Sequence, residues 1–269
     1  MTCYRHPDRE AYVRCQRCER FICPECQIEA SVGFLCPDDA GGKVTQINRR
    51  RTRAARVRQS GPRPAITITL VGINVALWLL QIMPGSFVTD LFAYVPQLTA
   101  IQPWRMITAG FLHDPSNVLH VLLNMYSLYI FGQALEPMLG RGRFLALYLL
   151  SLFGGSVGVL WLASPDSWVV GASGAIFGLM AAYFVVLRTL GQNSSQMLTL
   201  IAINLVFGFF SSGVSWQGHV GGLVTGGVVA LILANTRQLS QQAAQRLGLV
   251  SVAVLLVLLT VFRASLLGL

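Results

Sequence analysis

The 269-residue chain is strongly apolar, with 54% hydrophobic and only 12% charged residues. A soluble domain carries about 25% charged residues, so the composition excludes a wholly soluble protein and indicates an integral membrane domain. The net charge of +9 is uneven, because the first sixty residues hold much of the charge. The N-terminus has no apolar stretch with a cleavage site, and we therefore expect no signal peptide.

Residues that bind metals occur in pairs near the N-terminus. With His6 and Asp39, the six cysteines form pairs whose members are separated by two residues. This spacing lets a tight turn bring both ligands to one ion, and four pairs suffice for two tetrahedral zinc sites. One ion is the alternative, whereas disulfides are not expected on a segment predicted to be cytoplasmic. The pairs are Cys3 with His6, Cys15 with Cys18, Cys23 with Cys26, and Cys36 with Asp39.

The array over residues 1–40 resembles a B-box-type zinc finger. The resemblance implies that the pairs interleave, with Cys3, His6, Cys23 and Cys26 on one ion and Cys15, Cys18, Cys36 and Asp39 on the other. Because so few residues cannot build a large core, zinc is expected to supply much of the folding free energy. We interpret the zinc as structural and the module as a site for regulation or for binding a cytoplasmic protein.

A basic segment over residues 41–64 is expected to be a flexible linker, since it contains glycines and prolines as well as arginines. Nucleic-acid binding is one interpretation of the arginine run. Its position before the first apolar span favours a cytoplasmic anchor on anionic lipid, and no nucleic-acid partner is expected. The run consists of Arg49, Arg50, Arg51, Arg53, Arg56 and Arg58.

Seven apolar segments predict an all-α polytopic membrane protein. The first six belong to a core over residues 65–235, and the seventh follows a cytoplasmic loop within residues 236–269. Several segments are shorter than the roughly 20 residues that cross a bilayer, so we expect them to be shielded inside a bundle. The segments are 66–83, 119–135, 144–163, 173–187, 197–211, 218–235 and 248–268.

The arginines of the loops predict the orientation by the positive-inside rule. With a cytoplasmic N-terminus, the outer loops contain only Arg105 against Asp90, Asp114 and Asp166. We expect a multi-pass protein of a bacterial plasma membrane. The arginines then placed in the cytoplasmic loops are Arg141, Arg143, Arg188, Arg237 and Arg246.

Polar residues stand near the starts of the second, fourth and sixth spans: His120, Ser173 and His219. Because these spans run inward, all three residues fall on the outer side. The helix from Ser173 to Leu187 is roughly 22 Å long, against roughly 30 Å of hydrocarbon. We therefore expect a recessed, water-filled pocket that opens outward.

These residue types have the chemistry of acyl transfer. A serine hydroxyl needs a base to take its proton, and His120 and His219 are the histidines of the spans. The spans contain no acidic residue before Glu136, which favours a Ser–His dyad over a triad. Asn124 lies one turn after His120, and both side chains, with the backbone N–H of Ser173, are candidate oxyanion donors.

Glycines at four-residue spacing accompany the candidate dyad. Gly174 and Gly178 lie on the fourth span, and Gly218, Gly222 and Gly226 lie on the sixth. Such spacing lets two membrane helices approach closely. One interpretation is that the glycines serve helix packing alone. We favour the interpretation that they also bring the serine hydroxyl within hydrogen-bond reach of the imidazole.

Short motifs over about residues 65–235 combine in one pattern: Trp104-Arg105, His120-x-x-x-Asn124, Gly171-Ala172-Ser173-Gly174, and His219 followed by Gly222 and Gly226. The pattern resembles the rhomboid family of intramembrane serine proteases. This resemblance implies a rhomboid-like six-helix bundle, with the segment at 248–268 as an additional C-terminal transmembrane helix.

The resemblance also implies roles for individual residues. Ser173 would be the nucleophile and His219 the general base and later acid, while Asn124 and His120 would form the oxyanion hole. Phe177 stands where some relatives have a tyrosine that stacks on the histidine, and it can still stack. The implied substrates are single-pass membrane proteins with helix-destabilising residues near the cleavage point, and no catalytic cofactor is implied.

Other functions fit the sequence less well. A metalloprotease needs a His-Glu-x-x-His helix and an aspartyl protease needs paired aspartates, and the spans contain neither. The main alternative is a catalytically inactive rhomboid-like scaffold that binds transmembrane helices; the presence of both Ser173 and His219 favours an enzyme. A zinc module with a simple membrane anchor leaves the polar residues of the spans unexplained.

Overall fold

The computed structural model describes residues 1–30, 33–40, 64–211 and 213–269. The chain forms two compact units, a small N-terminal unit and a larger helical unit. The expected flexible linker, up to residue 63, and its arginine run lie outside the described residues.

The N-terminal unit consists of two small antiparallel hairpins and a one-turn helix, Pro37–Ala40. Strand β1 (Val13–Arg14) pairs with β2 (Phe21–Ile22), and β3 (Ile28–Glu29) pairs with β4 (Phe34–Leu35). Five of the seven buried residues of its core are cysteines. The unit therefore has almost no apolar core apart from the residues that were predicted to bind metal.

In the part of the second unit that the structure describes, seven long helices make up most of the chain, and each coincides with one predicted segment. The seventh begins earlier than predicted, because its first turns carry polar residues that hydropathy does not detect. The helices are α1 (Ala65–Gln81), α2 (Val118–Leu139), α3 (Arg141–Leu162), α4 (Ser173–Thr189), α5 (Ser195–Phe210), α6 (Trp216–Asn235) and α7 (Gln242–Leu267). The prediction of an all-α polytopic fold is confirmed.

Among the described residues, four helical segments are long and apolar enough to cross a membrane: α2, α3, α6 and the segment Leu239–Leu267 that contains α7. The apolar helices α1, α4 and α5 are shorter. Helix α4 is buried at every position from Ala175 to Ala182, so neighbouring helices surround it on all sides. This burial explains how a short helix can occupy the centre of the unit.

Glycines bring α3, α4 and α6 into backbone contact. A methyl group on Gly222 of α6 would lie 1.9 Å from the carbonyl oxygen of Gly174 on α4, and one on Gly226 would lie 2.3 Å from the Cα of Gly178. On the other side of α6, a methyl group on Gly221 would lie 2.3 Å from a carbonyl oxygen of α3. Only hydrogen fits at these positions, so the glycines determine the spacing of the three helices.

Glu136, near the end of α2, connects this helix to the start of α1. Its carboxylate accepts hydrogen bonds from the backbone amides of Ile66 (3.0 Å) and Thr67 (2.8 Å) and from the Thr67 hydroxyl (2.7 Å). These amides belong to the first turn of α1, where helical partners are lacking. A buried carboxylate thereby caps α1 and joins it to α2.

Candidate active site and metal centres

Ser173 is the first residue of α4, directly after a turn that only glycine adopts easily. Gly171 has a φ of +129°, a conformation that side chains with a Cβ rarely adopt. Its amide donates to the carbonyl oxygen of Ala109, in the loop between α1 and α2, at 3.0 Å. The turn places the backbone N–H of Ser173 among the helix-start amides that have no helical partner.

His219 lies in the first turns of α6 and is 7% exposed. Its imidazole stacks on the ring of Phe177, with centroids 4.2 Å apart and an angle of 17° between the planes. Phe177 is one helical turn after Ser173, so both residues lie on the face of α4 that meets His219. The stacking implied by the resemblance is therefore observed.

The residues beside the candidate dyad are in backbone contact. A methyl group on Gly174 would lie 3.2 Å from the carbonyl oxygen of Gly218, and these glycines adjoin Ser173 and His219 in the chain. The hydrogen bonds of the described residues include none between the serine hydroxyl and the imidazole, and His219 Nδ1 is buried without a partner there. Hydrogen bonds between catalytic residues are often long in the absence of substrate.

His120 reaches the same turn from α2. A methyl group on Gly171 would lie 3.0 Å from His120 Nε2 and 3.7 Å from Ser173 Oγ, so both atoms border one small space. The other ring nitrogen, Nδ1, accepts a hydrogen bond from the backbone amide of Asp114 at 3.2 Å. The structure thus brings His120 and Ser173 together around Gly171.

Asn124 lies on the same face of α2 and is 7% exposed. Its amide nitrogen donates to the carbonyl oxygen of His120 at 2.8 Å. An asparagine amide has two N–H groups, so this bond holds the side chain in place and leaves one donor for a ligand.

A narrow pocket borders Ser173. Mostly small residues of α3, α4 and the start of α6 line it, together with parts of the loops that precede α2 and α4. The residues that border it include Gly155, Ser156, Gly171, Ser173, Ser215 and Gly218.

Trp104 and Arg105 lie in the loop between α1 and α2. Arg105 is 6% exposed and donates to the carbonyl oxygen of Ala93 at 2.8 Å and to the side chain of Gln102. Trp104 remains half exposed. Neither residue lines the pocket beside Ser173.

Two residues of α1, Trp78 and Gln81, contact the loop that precedes α2, and sequence reasoning missed both. Gln81 accepts from the amide of His113 at 2.9 Å and donates to its carbonyl oxygen at 2.8 Å. Trp78 donates to the carbonyl oxygen of Asp114 at 3.4 Å. The available signal was a glutamine at the end of an otherwise apolar span.

The N-terminal unit brings together the first predicted ligand set. The ligand atoms of Cys3, His6, Cys23 and Cys26 lie within 4.8 Å of one another. His6 Nδ1 is 3.4 Å from the sulfurs of both Cys23 and Cys26. Ligands about 2.0 and 2.3 Å from one tetrahedral zinc ion would be about 3.5 Å apart, so this set fits a zinc ion.

The second predicted set, Cys15, Cys18, Cys36 and Asp39, is also assembled. Cys18 and Cys36 have sulfurs 3.7 Å apart, and Asp39 Oδ2 is 3.3 Å from the Cys15 sulfur. Hydrogen bonds from the thiols of Cys18, Cys36 and Cys15 lower the pKa of the Asp39 carboxyl to about 2. Asp39 is therefore an anion at neutral pH, as a metal ligand must be. All six cysteines are free of disulfides.

A sequence profile of the Rhomboid domain matches residues 100–236. The rhomboid protease GluP of Bacillus subtilis is 35% identical over 204 residues, which is 71% of this chain and 38% of GluP. The rhomboid relative YdcA of the same organism is 34% identical over 65% of this chain and 91% of its own length. The rhomboid protease AarA of Providencia stuartii is 28% identical over 62% of this chain and 72% of its own.

The chain belongs to the rhomboid family. The match to the Rhomboid domain includes the positions of His120, Asn124, Ser173 and His219 and excludes the N-terminal unit. The predicted resemblance to the rhomboid family is thereby confirmed, and the chain is a multi-pass membrane protein. The rhomboid relatives named as proteases support the prediction of a serine-type intramembrane protease.

Proposed function

We propose that this rhomboid protein is an intramembrane serine endopeptidase with a Ser173–His219 dyad. The observation that carries the proposal is the stack of His219 on Phe177, one turn below Ser173 on the same face of α4. Stacking fixes the plane of the imidazole beside the helix that begins with the serine. The backbone contact between Gly174 and Gly218 supports the proposal, because it holds both helix starts together.

In the first half of the proposed reaction, Ser173 Oγ attacks the carbonyl carbon of the substrate peptide bond. The proton of the hydroxyl passes to His219, and the carbonyl oxygen becomes an oxyanion. His120 Nε2, the free N–H of Asn124 and the backbone N–H of Ser173 are the proposed donors to this oxyanion. Removing one such donor typically reduces kcat by about 10²–10³-fold.

In the second half, the tetrahedral intermediate collapses and the C–N bond breaks. His219 returns its proton to the departing amine, which leaves an ester between Ser173 and the new carboxyl end. A water molecule then attacks this ester, and His219 takes the proton of the water and gives it back to the serine oxygen. One water is consumed, and the dyad is restored.

The proposed substrates are single-pass membrane proteins with helix-destabilising residues near the cleaved bond. A peptide bond inside a helix has its carbonyl group engaged and its faces covered by the helix. The helix must therefore unwind before Ser173 can attack. Helix-destabilising residues reduce the free energy of that step, because glycine and proline disfavour helix by about 1 and 3 kcal/mol.

The test is cleavage of a reporter transmembrane substrate by purified wild-type and Ser173→Ala protein in detergent or liposomes. We expect the variant to be inactive and folded, and we expect a fluorophosphonate to label the wild type only. Ser195→Ala is the matched control, because Ser195 is exposed at the start of α5. Cleavage by the Ser173→Ala protein would reject the nucleophile, and substrate binding without cleavage by the wild type would favour the scaffold.

We propose that the N-terminal unit binds two structural zinc ions, one in each ligand set, and serves regulation or the binding of a cytoplasmic protein. The two assembled sets support two ions over one. Metal analysis of the full-length protein should give two zinc ions per chain. A single ion, or none, would contradict the assignment.

We propose that the protein lies in the plasma membrane with a cytoplasmic N-terminus and an active site that opens outward. The excess of arginines in the loops at one end of the helices supports this orientation. Reporter fusions at residues 1 and 269 test it. With seven spans, we expect the N-terminal reporter to be cytoplasmic and the C-terminal one to be outside.

A further inference from the structure

The end of α1 is joined to the first outer loop by an unusually complete set of hydrogen bonds. Gln81 Oε1 accepts from the amide of His113 (2.9 Å), and Gln81 Nε2 donates to the carbonyl oxygen of His113 (2.8 Å) and to Thr89 Oγ1 (2.9 Å). Gln81 is 6% exposed. Because both N–H groups and the oxygen are engaged, the side chain has one fixed orientation.

A second residue of α1 extends this contact by one position. The indole of Trp78, one turn before Gln81, donates to the carbonyl oxygen of Asp114 at 3.4 Å. Three polar groups of the loop backbone, the amide and carbonyl of His113 and the carbonyl of Asp114, are therefore held from α1. The amide of Asp114 lies between the two carbonyls in the chain, and it donates to Nδ1 of His120 at 3.2 Å.

The bond from Asp114 determines the tautomer of His120. A backbone amide only donates, so Nδ1 must present its lone pair. In neutral imidazole the proton then resides on Nε2. Nε2 is the atom that borders the space around Gly171, next to Ser173 Oγ.

The ring of His113 packs against the ring of His120 and supports its orientation. Its centroid is 5.1 Å from that of His120, and the planes are tilted by 59°. His113 is fully buried, and neither of its ring nitrogens has a partner among the described residues. The His113 ring therefore acts on His120 by packing, and Gln81 fixes the backbone of His113.

We propose that Gln81 is a positioning residue for the oxyanion hole: through the backbone of His113 and Asp114, it holds His120 as the Nε2-protonated tautomer with its N–H directed at the oxyanion. The inference rests on the proposed function for its effect on catalysis. The tautomer itself is a property of the resting protein and is independent of any reaction.

The first experiment is a double-mutant cycle on the full-length enzyme with Gln81→Met and His120→Ala. Methionine keeps the length of the side chain and removes all three hydrogen bonds. We expect kcat to fall about tenfold with KM unchanged, as for a donor displaced by a fraction of an ångström. In the His120→Ala background, Gln81→Met should have no further effect on kcat. An equal fall in both backgrounds would show that Gln81 acts only on stability and would overturn the inference.

The second experiment observes the tautomer directly by NMR of protein labelled with ¹⁵N-histidine. The signals of His120 are identified by their loss in the His120→Ala variant. We expect an Nε2–H tautomer in the wild type and a mixture of tautomers in Gln81→Met. If that variant fails to fold, Trp78→Phe removes one weaker hydrogen bond and should shift the population in the same direction.

Gln97→Met is the matched control, because Gln97 lies exposed in the same loop region and its side chain has no hydrogen bond among the described residues. It should leave kcat and the signals of His120 unchanged. An Nδ1–H tautomer in the wild type, or unchanged His120 signals in Gln81→Met, would overturn the positioning role. If the wild type shows the expected tautomer but does not cleave the substrate, the result would count against the proposed protease activity and not against the positioning role of Gln81.

Discussion

The ring of Phe177 lies flat against the imidazole of His219, with 4.2 Å between their centroids. In serine hydrolases with a triad, a carboxylate orients the histidine through its second nitrogen. Here Nδ1 of His219 has no such partner among the described residues. Stacking and the surrounding helices therefore set the plane of the ring.

Replacing Phe177 should separate the effect of stacking from that of volume. An aromatic pair contributes roughly 1 kcal/mol beyond its buried area, so Phe177→Leu should reduce kcat about fivefold. Phe177→Tyr keeps the flat ring and should stay within about twofold of the wild type. Steady-state kinetics on a transmembrane substrate provide the measurement. Equal activity of the leucine variant would show that packing by other residues suffices.

The glycine contact between α4 and α6 makes a prediction about stability. A methyl group in Gly222→Ala would lie 1.9 Å from the carbonyl oxygen of Gly174, whereas in Gly227→Ala its nearest neighbour would be 3.8 Å away. The first variant must push the helices apart, which typically costs about 1–3 kcal/mol. Thermal unfolding in detergent should therefore show a lower midpoint for Gly222→Ala and no loss for Gly227→Ala. Similar midpoints for both variants would contradict the close approach.

Much of the candidate site was predictable because it depends on features that are local in sequence. His120, Ser173 and His219 each stand near the start of a span, and the direction of the spans places them at one end. The four-residue spacing of Gly174 and Gly178, and of Gly222 and Gly226, indicated helices in close contact. In the same way, the spacing of the cysteine pairs indicated metal binding, whereas the resemblance to a B-box-type zinc finger implied how the pairs divide into two sets.

Contacts between distant segments could not be predicted in this way. Gln81 meets His113 only because the loop between α1 and α2 folds back on the end of α1, and no local pattern encodes that path. Glu136 was noticed in the sequence, yet its bonds to Ile66 and Thr67 join residues about seventy positions apart. The bond from Asn124 to the carbonyl of His120 depends on a choice of rotamer.

Glu136 should be important for the stability of the helical unit. Glu136→Gln keeps the size of the side chain, but it removes the charge and turns one acceptor toward the α1 amides into a donor. A buried donor left without a partner costs about 1–3 kcal/mol, so we expect a clear fall in the unfolding midpoint. Gln133→Ala is the control, since Gln133 is exposed on the same helix. If Glu136→Gln were as stable as the control, the cap on α1 would contribute little.

The neighbouring aspartates of the N-terminal unit should respond differently to substitution. Asp39 Oδ2 lies 3.2 Å from the Cys36 sulfur, whereas Asp38 accepts from the Tyr4 hydroxyl and pairs with Arg20 at its exposed end. Asp39→Ala removes one of four ligands from the second set. After dialysis against a mild chelator, we therefore expect the Asp39→Ala protein to retain about one zinc ion per chain and the Asp38→Ala protein to retain two. Zinc content of the purified full-length proteins measures this difference. Equal zinc content in both variants would contradict the assignment of Asp39 as a ligand, because losing a true ligand should weaken zinc binding.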